Sequence, residues 1–91
     1  MISKEAKDKI IKKFKTHDGD TGSPQVQIAL LSYEIEELSK HLQEHKKDHS
    51  SRRGLLKKVG QRRRLLRYLK KDALNEYQKL IKELKLKDTI A

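Results

Sequence analysis

The sequence predicts an all-α protein of four helices: an antiparallel three-helix bundle with a short, mobile N-terminal helix. Apolar residues recur at spacings of three and four along most of the chain, the period of one helix face, and nowhere do they alternate as a half-buried strand requires. One proline and four glycines leave long stretches without a breaker.

Ser3, with Glu5 in the following turn, reads as the N-cap of a first helix over about 3–15, whose face is Ala6, Ile10, Ile11 and Phe14. That helix is free to pack on the bundle or to project from it. It stops in Thr16 to Ser23, where Gly19 and Gly22 lie among His17, Asp18 and Asp20. Ser23 and Pro24 then start the second helix, the hydroxyl accepting from a free backbone N–H and proline filling the first helical position, where no donor is needed. Its seam is Ile28, Leu31, Ile35, Leu38 and Leu42, and over about 24–45 it runs roughly 30 Å. The chain must reverse within His45 to Ser51, with Ser50 or Ser51 as the cap of a third helix over about 50–71 carrying Leu55, Leu56, Val59, Leu66 and Leu69. Asp72 is placed to cap a last helix over about 73–86 with Leu74, Tyr77, Leu80, Ile81 and Leu84 inside. Tyr77 is expected in the core and Tyr33 in core or surface. Gly54 and Gly60 cost the third helix propensity; either they allow close approach of another backbone or they are simply tolerated.

Ninety-one residues make one domain, residues 1–91, and a core of this size rarely yields more than about 3 to 5 kcal/mol, which argues for a working surface rather than a dry enzyme cavity. With no cysteine and no long uncharged apolar run, neither disulfides, a signal peptide nor a membrane span is expected, and the reading is a soluble protein of a reducing compartment.

The formal charge of +10 is uneven. Residues 46–71 hold six Lys and all six Arg against one acid, Asp48, giving +11, while residues 16–45 total −5. So dense a cation run repels itself without a counter-anion, and arginine suits phosphate forks and base stacking, so a polyanion is the expected partner. The plainer alternative is a solvated helix face.

Other constellations are weaker. His41, His45 and His49 stand at four-residue spacing, but a reversal before residue 49 removes the third imidazole from the row, and no metal is expected. Asp20-Thr21-Gly22 resembles a protease loop only in isolation, and Asp18 and Asp20 lack the later bidentate glutamate of a calcium loop. No catalytic residue, no cofactor and no enzyme activity is expected.

Asp48 is the odd member of the basic hairpin. Either it caps the third helix or it accepts from a base amino group such as guanine N2 in a minor groove. Ser51 has the same ambiguity between cap and ribose 2′-OH. Folding the two long helices about residue 47 or 48 sets Gln27 opposite Tyr68, with Asp20, Thr21 and Gly22 at that same end, about 25 to 30 Å from the turn. Two polar clusters thus sit at the ends of one rod, bridged by Arg62, Arg63, Arg64 and Arg67. Tyr68, amid Arg64, Arg67 and Lys71, is expected to meet RNA.

The segments Asp20-Thr21-Gly22-Ser23, His41-x-x-x-His45-Lys46-Lys47-Asp48-His49, Ser51-Arg52-Arg53-Gly54-Leu55-Leu56 and Gln61-Arg62-Arg63-Arg64-Leu65-Leu66 resemble the bacterial small-subunit ribosomal protein S-fifteen family, over essentially the whole chain. The resemblance implies a cytoplasmic four-helix protein of the ribosome, monomeric when free. It would bind 16S ribosomal RNA directly and early, at a central-domain three-way junction and the minor groove of an adjoining helix. Thr21, Gly22, Gln27 and Tyr68 would hold the junction, and His41, Asp48 and Ser51 would read the groove at a guanine-rich, wobble-containing step. Lys46, Lys47, Arg52, Arg53, Arg64, Arg67 and Lys71 are the expected backbone contacts. It further implies neighbouring small-subunit proteins met through the assembled RNA, a contact to large-subunit RNA and, in some members, binding to their own messenger RNA. Ser50 stands where a second consecutive histidine is usual and Lys85 where a glycine is usual, so the last helix is expected to run on further.

Duplex RNA displays 2′-OH groups and the guanine amino edge in a wide, shallow minor groove, which short side chains suit. Cations would supply salt-dependent affinity while the two clusters test the spacing of junction and groove. The rival class is a basic helical DNA-binding protein with its third helix in a major groove. A membrane-surface module would need an exposed apolar face, which helix pairing uses up.

Overall fold

The computed structural model describes residues 4–14 and 22–84. They form α1 (Lys4–Phe14), α2 (Pro24–Glu44), α3 (His49–Asp72) and α4 (Leu74–Leu84), with no strand among the described residues. Most of the Thr16 to Ser23 connection and Lys85 lie outside the described residues.

α2 starts as its sequence dictates. Ser23 Oγ accepts from the Val26 N–H at 3.3 Å, and Pro24 is the first helical residue. The helix ends at His45, whose N–H donates to the His41 carbonyl at 2.9 Å. α3 is capped by Asp48, not by Ser50 or Ser51, which lie inside its first turn. Aspartate and serine are equivalent caps, and the position is decided by where the chain turns into the helix: the Asp48 carbonyl accepts from the Arg52 N–H at 3.2 Å. Asp72 is not a cap either. The Ala73 N–H donates to the Leu69 carbonyl at 2.7 Å, so α3 runs through Asp72, and the Ala73 carbonyl accepts from the Tyr77 N–H at 3.0 Å and opens α4.

The core cluster is Ile28, Leu66, Leu69, Tyr77 and Leu80, with Phe14, Leu65, Ala73, Ile81 and Leu84 packed against it. The one-residue link at Ala73 folds α4 onto the end of α3, which brings Tyr77 and Leu80 over Leu66 and Leu69. Val26 and Ala29, outside the predicted seam, are also buried, because α2 contacts each of the other three helices and hides two of its faces. Leu56 and Leu74, expected inside, are 65% and 49% exposed. Adjacent residues on a helix point about 100° apart, so once Leu55 turns inward Leu56 must turn out. Leu74 is the first residue of α4, ahead of its buried residues Tyr77 and Leu80.

α1 packs on the bundle. Phe14 meets the core, and Lys13 Nζ lies 3.0 Å from Glu83 Oε1 of α4. Tyr77 is fully buried with Lys70 Nζ 5.4 Å from its ring centre, and Tyr33 is half-buried. A Cβ added at Gly54 or Gly60 would meet nothing within 4 Å among the described residues, so no other described helix approaches closely there.

Candidate nucleic-acid interface

Two polar bonds fix how α2 lies on α3. Lys58 Nζ donates to Glu34 Oε2 at 2.6 Å, and Arg62 Nη1 donates to Ser32 Oγ at 3.2 Å. Both agree within one helical turn with a fold about residue 47 or 48. Burial pushes the Arg62 guanidinium below its usual value, though arginine stays charged.

At the hairpin end, three residues singled out from the sequence form one hydrogen-bonded cluster. Asp48 Oδ1 accepts from the Ser51 N–H at 3.1 Å, and Oδ2 accepts from the Ser51 hydroxyl at 2.7 Å and lies 2.8 Å from His41 Nε2. The Ser51 hydroxyl, then the His41 ring and the Ser51 amide, hold the Asp48 carboxyl well below the usual carboxylate range. An ionised carboxylate only accepts, so the Ser51 proton and the His41 Nε2 proton both point at Asp48. Ser51 Oγ therefore faces other partners as an acceptor. The His41 ring lies against His45 at 4.7 Å between centroids, and Arg52 Nη2 closes the turn by donating to the Lys46 carbonyl at 2.9 Å.

At the opposite end, Gln27 Nε2 donates to the Gly22 carbonyl at 2.5 Å, joining two of the four junction candidates. Thr21 lies outside the described residues. Tyr68 is 57% exposed, one turn beyond Arg64, and Arg64 and Gln27 line the same groove between α2 and α3. Sequence reasoning missed three parts of this surface: Gln61, the leucines of the groove, and the Lys58–Glu34 pair. Gln61 had a signal, being the one uncharged polar residue within the basic run from Lys57 to Arg64.

Lys46, Lys47, Arg52, Arg53, Arg64, Arg67 and Lys71 are all exposed. None is in an ion pair among the described residues, and no acid lies on α3 between its cap Asp48 and its last residue Asp72. No helix among the described residues is long and apolar enough to cross a membrane.

A bundle whose third helix carries a row of exposed cations outside any ion pair among the described residues, ended by a preassembled hydrogen-bonded cluster at Asp48, defines a small basic helical protein suited to an anionic surface partner. Comparison with known proteins gives the family. The model of the family described as "Ribosomal protein S15" matches residues 7–87, and the chain belongs to that family, which is structural rather than enzymatic. It is 61% identical over 87 residues to a protein named small ribosomal subunit protein uS15 from Caldanaerobacter subterraneus, covering 96% of this chain and 99% of that one. It is 60% identical to the Staphylococcus carnosus protein of the same name, covering 91% and 93%. The Streptococcus mutans protein of that name is 54% identical, with 94% and 97% covered.

Proposed function

We propose that this chain, a constituent of the small ribosomal subunit in the cytoplasm, binds 16S ribosomal RNA directly through both ends of the α2–α3 hairpin. His41, Asp48 and Ser51 read the minor groove of one RNA helix. Thr21, Gly22, Gln27 and Tyr68 hold a three-way junction, and Lys46, Lys47, Arg52, Arg53, Arg64, Arg67 and Lys71 follow the backbone.

The observation that carries the reading is the cluster at Asp48. An array that offers acceptors selects donors, and the guanine amino group is the one base donor in a minor groove, beside the ribose 2′-OH of RNA. The carboxylate is held inside the cluster by Ser51 and His41, and the exposed cations Lys46, Lys47, Arg52 and Arg53 around it offset its charge toward a polyanion. Glu34 is likewise matched by Lys58. Cations along α3 then add affinity without sequence choice, and the helix between the two ends sets their spacing. Binding at both ends fixes the angle between the RNA helices and so organises the RNA for later assembly. In the same reading, neighbouring small-subunit proteins are met through that RNA, the assembled surface touches the large subunit, and a messenger RNA that imitates the junction competes for it.

Competition between a small-subunit junction fragment and duplex DNA at matched salt tests this. Preference for the junction RNA by orders of magnitude is expected; equal affinity would favour a basic helical DNA-binding protein instead.

A further inference from the structure

Next to the junction cluster, and sharing Gln27 with it, lies a groove whose remaining residues neither cluster uses. Leu30, Leu31 and Leu65, all half-buried, form its floor, and Gln27, Gln61 and Arg64 stand exposed at its rim. Its volume is about 420 Å³, within the range of small-ligand pockets. The acid on its wall, Glu34, is tied to Lys58 with both side chains only about one-fifth exposed, so it presents little charge to a visiting anion. Gln27 spends its Nε2 on the Gly22 carbonyl, leaving Oε1 as an acceptor. Gln61 has no partner among the described residues and keeps donor and acceptor side by side.

We infer that this groove receives one unstacked nucleobase of the RNA lying along α3, with adenine the best matched. The inference rests on the RNA-binding reading above and names what the middle of that surface recognises. Three leucines offer an apolar bed to a flat ring. A free carboxamide pairs in two-point fashion with the N6 and N7 positions of adenine, and the spare oxygen of Gln27 suits an exocyclic amino group. Arg64, with Arg63 and Arg67 beside it on α3, is placed for the phosphate that flanks the base. RNA offers such bases where strands leave a helix, and proteins that read RNA sequence take them there. An apolar peptide in the same place would strand two carboxamides and a guanidinium against apolar surface.

The test uses the full chain and a small-subunit junction fragment in which each unpaired adenosine is replaced in turn by an abasic ribose. Gln61→Leu, on an exposed position, should weaken the intact fragment about tenfold. One abasic position should cost the same, and combining the two should cost no more than either alone. If Gln61→Leu and every abasic fragment bind like the parents, while wild type still prefers junction to duplex, the groove inference is overturned and the RNA-binding reading stands. If wild type shows no such preference, the RNA-binding reading falls and the groove inference with it. If adenosine monophosphate shifts the NMR signals of Gln61 and Leu65 but no abasic fragment loses affinity, the groove takes a free nucleotide and the inference is overturned.

Discussion

Replacing Ser51 by alanine separates recognition from stability with a small chemical change. The Ser51 hydroxyl donates to Asp48 Oδ2 at 2.7 Å, whereas its backbone N–H, which closes the cap on Oδ1 at 3.1 Å, survives the substitution. The loss to folding is therefore one charge-assisted hydrogen bond, weakened by its partly exposed setting to about 1 kcal/mol. For a chain of this length that is a fall in Tm of about 4–8 °C, readable by calorimetry. Binding loses more. The variant removes the outward acceptor and loosens Asp48, so affinity for the junction fragment should drop by about 1 to 3 kcal/mol, roughly 5- to 160-fold. Affinity for an unrelated RNA duplex, held by cations the substitution does not touch, should stay within about twofold. Filter binding of both RNAs at one salt concentration decides it. Equal losses on the two would refute donor selection by the cluster and leave Ser51 as a cap residue alone.

Further outcomes follow from the same geometry. Arg64→Gln should flatten the dependence of log affinity on log salt by about one unit, and an unchanged slope would remove Arg64 from the phosphate face. The Asp48 carboxyl is more acidic folded than its unfolded value of about 3.9, so its contribution to stability is complete above that pH and is lost as pH falls below it. Asp48→Ala should accordingly flatten the acid limb of the Tm–pH curve, and a difference that already narrows between about pH 7 and 5 would contradict the assignment. Leu66→Ala, at a position 2% exposed, should cost about 2–5 kcal/mol, while Leu56→Ala should cost under about 0.5 kcal/mol; similar Tm values for the two would overturn the core assignment. Gly60→Ala should raise Tm, adding about 0.5–1 kcal/mol, because the new methyl meets nothing; a lower Tm would mean a clash.

Helical periodicity made α2 legible to within a residue, because Ser23 and Pro24 are local signals whose meaning does not depend on the rest of the fold. The α3–α4 join was misread at Asp72 for the complementary reason. Whether a helix stops at an aspartate depends on what the next N–H can reach, and here Ala73 reaches Leu69. Leu55 and Leu56 look alike in sequence, and only the packing direction decides which turns inward. At the site, the sequence left Asp48 between helix cap and base reader. The geometry establishes the cap, on Oδ1, and shows that Oδ2 gathers His41 and Ser51, so capping does not use up the carboxylate. The groove was out of reach because it is made by residues some thirty positions apart, whose meeting depends on the register set by Lys58–Glu34 and Arg62–Ser32.

The closed turn at Lys46 to Asp48 bears on who moves when the complex forms. Arg52 on the Lys46 carbonyl, together with the three bonds of Asp48, holds that end of the hairpin in one shape before any partner arrives. A rigid surface of this kind contributes almost no ordering cost of its own on association. In the proposed complex the adjustment would fall on the RNA, and the apparent affinity would be the intrinsic one reduced by the fraction of RNA already shaped to match. On the proposed reading, divalent ions that favour the bent junction should tighten binding without touching the protein, which would then gauge how well the RNA has folded.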